Sequence, residues 1–161
     1  MTWWRTQRFA LVALVVAAAA AIAVHVWFDV LPAAPKSTQV QDAEEGRAEV
    51  AGQTLRLDSA RWDEFEAPAG SRTLSIRIDA RAEGESAGCG MFTLAETDGA
   101  RVWTNARSVL DVPYDEGESG CQKESGSSVI LAVFLLPDDA DGPFVLDIPG
   151  TDEIARFPIE P

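Results

Sequence analysis

Leu74-Ser75-Ile76-Arg77-Ile78-Asp79-Ala80-Arg81 decides the fold class. Apolar and polar side chains alternate with a period of two, so one face turns inward and the other meets water. Thr54-Leu55-Arg56-Leu57-Asp58 alternates in the same way. Met91-Phe92-Thr93-Leu94 and Arg101-Val102-Trp103-Thr104 flank Thr97-Asp98-Gly99, a hairpin turn signal. Residues 108–112 are a further short strand candidate. Residues 129–136, from Val129 to Leu136, are eight consecutive apolar positions. Such a run suits a strand covered on both faces, or one whose outer face meets a partner. Phe144-Val145-Leu146-Asp147-Ile148 and Ile154-Ala155-Arg156-Phe157 close the series, with Pro143, Pro149 and Gly150 marking turns. The pattern predicts an all-β, two-sheet antiparallel β-sandwich over residues 46–161, with a small barrel as the alternative. Residues 61–66 and 111–126 read as loops, the second acidic, rich in Gly and Ser and expected to be mobile.

Outward from this region, the chain changes character. Residues 9–28, opening on Phe9 and closing on Phe28, carry no formal charge. A 20-residue helix spans about 30 Å, the thickness of a bilayer's hydrocarbon. Ten of these residues are Leu, Ile, Val or Phe, favouring insertion by about 3–6 kcal/mol at most. Arg5 and Arg8 precede the run, and every acidic residue follows it, beginning with Asp29. The positive-inside rule then places residues 1–8 in the cytoplasm and exports the remainder. Trp3, Trp4 and Trp27 suit the interfacial aromatic belts. A cleaved signal peptide is the competing reading, with Ala21-Ile22-Ala23 as its small-x-small site. Residues 29–45 read as a linker, with Pro32, Pro35 and no sustained apolar period.

The 161 residues include 26 Asp or Glu against 13 Lys or Arg, for a net charge of −13. That balance argues against nucleic-acid binding, which depends on Lys and Arg neutralising phosphates. The two cysteines, Cys89 and Cys121, lie in the region expected to be exported, where a pair of thiols is most simply a disulfide. Two Cys without a nearby His make no familiar zinc set. The single His25 lies within residues 9–28, so the exported region has no imidazole. Ser-His-Asp and Cys-His nucleophile activation are thereby removed. No phosphate loop is present, and neither a catalytic residue nor a cofactor is expected.

Two acidic clusters, Asp115-Glu116-Gly117-Glu118 and Asp138-Asp139-Ala140-Asp141-Gly142, are candidates for weak calcium binding or for plain polar turns. The second fails as an EF-hand: with Gly142 at the sixth loop position, Ile148 occupies the twelfth, where a carboxylate is required. Trp62 and Trp103 read as half-buried strand residues, with a ligand-stacking platform as the alternative. Tyr114, seven residues before Cys121, does not match the tyrosine-corner spacing of antibody domains.

Residues 49–157 resemble the telokin-like, immunoglobulin-like domains of bacterial surface proteins, a family of unknown function. Val50-Ala51-Gly52-Gln53-Thr54-Leu55-Arg56-Leu57 and Phe134-Leu135-Leu136-Pro137-Asp138-Asp139-Ala140 carry the likeness. Family members are often lipid-anchored, whereas this chain has no lipobox Cys. The resemblance implies an immunoglobulin-like sandwich and brings no catalytic residues with it. The expectation is therefore a single-pass membrane protein whose extracytoplasmic domain binds or assembles envelope components, with an unidentified envelope protein as partner. An accessory subunit packed in the membrane through Ala17 to Ala21 is an alternative, and a carboxylate-only envelope hydrolase a third.

Overall fold

The computed structural model describes Gln7, residues 12–20 and residues 38–161. The chain divides into two compact units, Met1–Ser37 and Thr38–Pro161. In the first, residues 12–20 are helical and exposed. Most of the expected membrane segment at 9–28 lies outside the described residues. Among the described residues no helix is long and apolar enough to cross a membrane.

The second unit is all-β. Its strands are β1 (Gln39–Asp42), β2 (Arg47–Val50), β3 (Gln53–Trp62), β4 (Ser71–Ala82), β5 (Thr93–Glu96), β6 (Val102–Thr104), β7 (Gly126–Pro137), β8 (Phe144–Pro149) and β9 (Glu153–Ile159). They form a five-stranded sheet in the order β1-β9-β8-β5-β6 and a four-stranded sheet in the order β2-β3-β4-β7. The period-two residues do as their spacing dictates. Leu74, Ile76, Ile78 and Ala80 of β4 are buried, as are Phe144, Leu146 and Ile148 of β8. Together with Ile130, Phe134 and Phe157 they belong to one core cluster drawn from both sheets. Each such large side chain contributes about 1.5–3 kcal/mol by leaving water.

The domain starts before the expected Gly46. Gln39–Asp42, placed by sequence in the linker over 29–45, pairs in parallel with β9, Gln39 opposite Glu153 and Asp42 opposite Arg156. A turn at Glu45-Gly46 then carries the chain into the other sheet, with Glu44 and Arg47 exchanging both backbone bonds at 2.9 Å. Ala51-Gly52 makes a second tight turn between β2 and β3. Both turns hold two successive residues at positive φ, 52° and 73° at the first, 54° and 78° at the second. This is the primed geometry that twists with the flanking strands, and it explains the glycine at each second position.

Residues 108–112 are not a strand. The Asn105 side chain accepts from the Arg107 N–H at 3.1 Å. The Val109 and Leu110 N–H groups both reach the Ala106 carbonyl, closing a turn. A turn capped by Asn displaces the extended form because Val109 is left in water and has no sheet face to pack on. Residues 111–125 form a loop, as expected, that is tied to the sheet. They contain a 3-10 turn at Tyr114–Glu116, and Glu118 bridges in parallel to Ile130.

Candidate functional site

β7 explains the layout of the site. It is an edge strand of the four-stranded sheet. Ile130, Ala132, Phe134 and Leu136 face the core. Leu131 and Val133 point the other way yet have no exposed surface. Residues 105–118 cover them. Ala106 N–H donates to the Val133 carbonyl at 2.7 Å, Glu118 N–H to Val129 at 2.8 Å, and Leu131 N–H to the Glu118 carbonyl at 2.9 Å. Asn105 Oδ1 accepts from Val133 N–H at 3.3 Å. The loop thus satisfies the edge and covers the apolar run, two requirements an exposed edge strand must meet. Residues 130–134 are thus covered on both faces by this chain itself, while Val129 at the start of the run stays exposed.

The disulfide between Cys89 and Cys121 holds the far end of the cover, with Cα atoms 5.3 Å apart. Next to it, Gln53 Nε2 donates to Ser86 Oγ at 2.8 Å and to the Gln122 carbonyl at 2.7 Å. A buried polar side chain needs such partners, and Gln53 has them. At the other side of the sheet face, residues 63–65 fold over β4. Thr73 Oγ1 donates to the Phe65 carbonyl at 2.8 Å.

Arg77 links the two covering segments. It donates to Glu64 at 2.6 Å and to Glu116 at 3.2 Å. The bond from Arg77 holds the Glu64 carboxyl below its ordinary range, against burial that works in the opposite direction. The same bond raises Arg77. Ser75 also donates to Glu64. A hydroxyl beside a carboxylate is the pattern of an activated nucleophile, but Ser75 is 1% exposed and Glu64 is tied down by a cation. Nothing in solution can reach that oxygen.

Beyond Arg77 the same face lies open. Here Arg47 stands directly opposite Arg56, and Arg56 opposite Asp79. One row further, Thr54 stands opposite Arg81, and Arg81 opposite Ser127. These residues line a shallow groove of about 730 Å³, with Glu83 and Ser128 at its margin. Arg47, Arg56 and Arg81 are exposed and form no ion pair among the described residues. Arg61 is likewise exposed and has no ion pair among the described residues, but it stands opposite Ser75, outside the groove. The remaining arginines of the domain behave differently. Arg72, Arg77, Arg101 and Arg156 each engage a carboxylate, and Arg107 donates to the Leu131 and Pro113 carbonyls. Residues 38–161 hold 25 acidic and 10 basic side chains, a net −15. Three arginines left unpaired side by side in so acidic a domain mark this groove.

The residues singled out by sequence lie elsewhere. Trp62 and Trp103 both pack edge-on to Phe144 at 5.9 Å. Arg72 sits 4.2 Å above one indole and Arg101 5.6 Å above the other, so guanidinium groups already occupy the faces a stacking ligand would need. The acidic turn at 138–141 serves these arginines, Asp139 pairing with Arg101 at 2.9 Å. Among the described residues no group of three or more metal-ligating side chains is placed to hold an ion. The groove arginines were not foreseen. Arg56 and Arg81 occupy polar phases of recognised strands, but only the register brings them beside Arg47.

Fold and groove define a class: an all-β sandwich with one sheet face half covered and half open. No protein-family model, no curated protein and no solved structure matches the chain.

Proposed function

We propose that this chain is a membrane-anchored, extracytoplasmic immunoglobulin-like domain that binds or assembles components of a bacterial envelope. The topology supports the immunoglobulin-like reading. Variable-type domains place strands G, F, C and C′ in one sheet and A, B, E and D in the other. Here β9, β8, β5 and β6 stand in the first order, and β3, β4 and β7 follow A, B and E. The covering loop lies on the free edge of β7, where strand D would be. The bridge differs from the antibody pattern: Cys89 follows β4 and Cys121 precedes β7, whereas antibody domains join B to F. The telokin-like resemblance over residues 49–157 points the same way.

Export rests on the uncharged run at 9–28, its basic leading flank and a cysteine pair that forms a bridge. Binding rather than catalysis is carried by one observation, the open arginine groove on a domain without an imidazole. Expression of the full chain in bacteria, followed by protease treatment of spheroplasts and thiol labelling, tests the arrangement. The expected result is a membrane-bound chain whose residues 38–161 are digested from outside, with Cys89 and Cys121 labelled only after reduction. A protected chain with both thiols free would overturn it.

A further inference from the structure

We propose that the groove across Arg47, Arg56 and Arg81 binds a phosphodiester group carried on a polyol. The inference rests on the binding-domain reading above. Arg47 and Arg56 face each other on neighbouring antiparallel strands. Like charges so placed repel, with side-chain origins about 5 Å apart. A diagonal step from Arg56 leads to Arg81, since Thr54, two residues away, is Arg81's cross-strand partner. That step is about 7–8 Å. Asp79 neutralises part of this charge from one side, yet it forms no bond to any of the three. A bound anion would relieve the repulsion between Arg47 and Arg56.

Charge and geometry narrow the ligand. Three guanidinium groups stand against Asp79 and Glu83 in the groove, with Glu49 beside it opposite Thr54, so a singly charged group suits it better than a multiply charged one. Three forks offer at least six N–H donors, more than the four or so lone-pair sites of a carboxylate. A tetrahedral phosphate accepts from more directions, and arginine is the residue suited to it. The remaining lining is matched to hydroxyls: Thr54, Ser127 and Ser128 donate or accept, while Asp79 and Glu83 accept. A long polyanion is disfavoured, because the domain's net −15 repels it. A single diester flanked by hydroxyl groups meets each of these conditions.

The test uses the full chain in nanodiscs of phosphatidylcholine, titrated calorimetrically with glycerophosphoglycerol, glycerol and glucuronate. Glycerophosphoglycerol should bind, glycerol should not, and glucuronate should bind at least about tenfold more weakly. The variants Arg56→Gln and Arg81→Gln, checked for unchanged Tm, should each weaken glycerophosphoglycerol about tenfold, the loss expected for a charge-assisted bond. Vesicles of phosphatidylglycerol in phosphatidylcholine supply the second arm. Arginine-dependent binding to these vesicles, and not to the soluble diester, would assign the phosphate to a lipid headgroup. No binding in either arm, equal binding of glucuronate, or binding indifferent to both substitutions would overturn the proposal. Those results leave the spheroplast experiment untouched, so the two readings fail separately.

Discussion

The outer face of the four-stranded sheet is finished in two different ways. At one end, Leu131 and Val133 lie under residues 105–118 and are sealed from water. At the other, on the neighbouring strands β2, β3 and β4, Arg47, Arg56 and Arg81 stand in an open groove. The same backbone ladder runs beneath both. Side-chain chemistry accounts for the contrast: apolar outward residues on an edge strand demand a cover, whereas guanidinium groups are best solvated and repel one another. Asp79 stands opposite Arg56 without forming an ion pair, whereas Arg77 and Arg156 each engage a carboxylate.

This contrast can be broken from the covered side with the largest effect. Replacing both Cys89 and Cys121 with Ala frees the far end of the cover, 32 residues apart in sequence. Chain entropy predicts a loss of about 3–4 kcal/mol, measured by denaturant unfolding, while the groove arginines keep their register. Leu131→Ala is expected to cost about 2–3 kcal/mol, the lower part of the usual range because the loop can settle into the space. An effect below about 0.5 kcal/mol would mean that the cover does not pack on that side chain.

Glu64→Gln probes the join between the two ends. The Glu64 carboxyl is held below its ordinary value by Arg77. Its contribution to stability is therefore complete above the unfolded-state value near 4.5 and disappears as pH falls through the lower folded-state value. The variant should lose about 1 kcal/mol at neutral pH and show a flatter decline of Tm below pH 4.5 than the wild type. An unchanged acid limb would remove Glu64 from the join. The smallest effect belongs to the open end. Arg47→Gln with Arg56→Gln should change stability by no more than about 0.5 kcal/mol, and any change should be a gain, since a like-charge pair is removed. A clear loss would show that these side chains support the fold rather than stand free of it.

Much of the fold was legible in the sequence because alternation is a local signal. Leu74 to Arg81 states its own inward and outward faces, and Thr97-Asp98-Gly99 states its own turn. Strand β1 was missed because Gln39-Val40-Gln41-Asp42 is exposed at all four positions and owes its extended form to β9, more than a hundred residues away. Residues 108–112 misled because Val109 and Leu110 look like strand residues while Asn105 bends the chain before them.

By itself, the sequence determined an all-β domain, the pairing of its only two cysteines and a domain without histidine, for each depends on residue type or near-neighbour spacing. Only the tertiary structure decided that Glu64 and Glu116 reach Arg77 while, among the described residues, no carboxylate binds Arg47, Arg56 or Arg81. Register and loop closure set those distances, and neither is written in any short stretch of the chain.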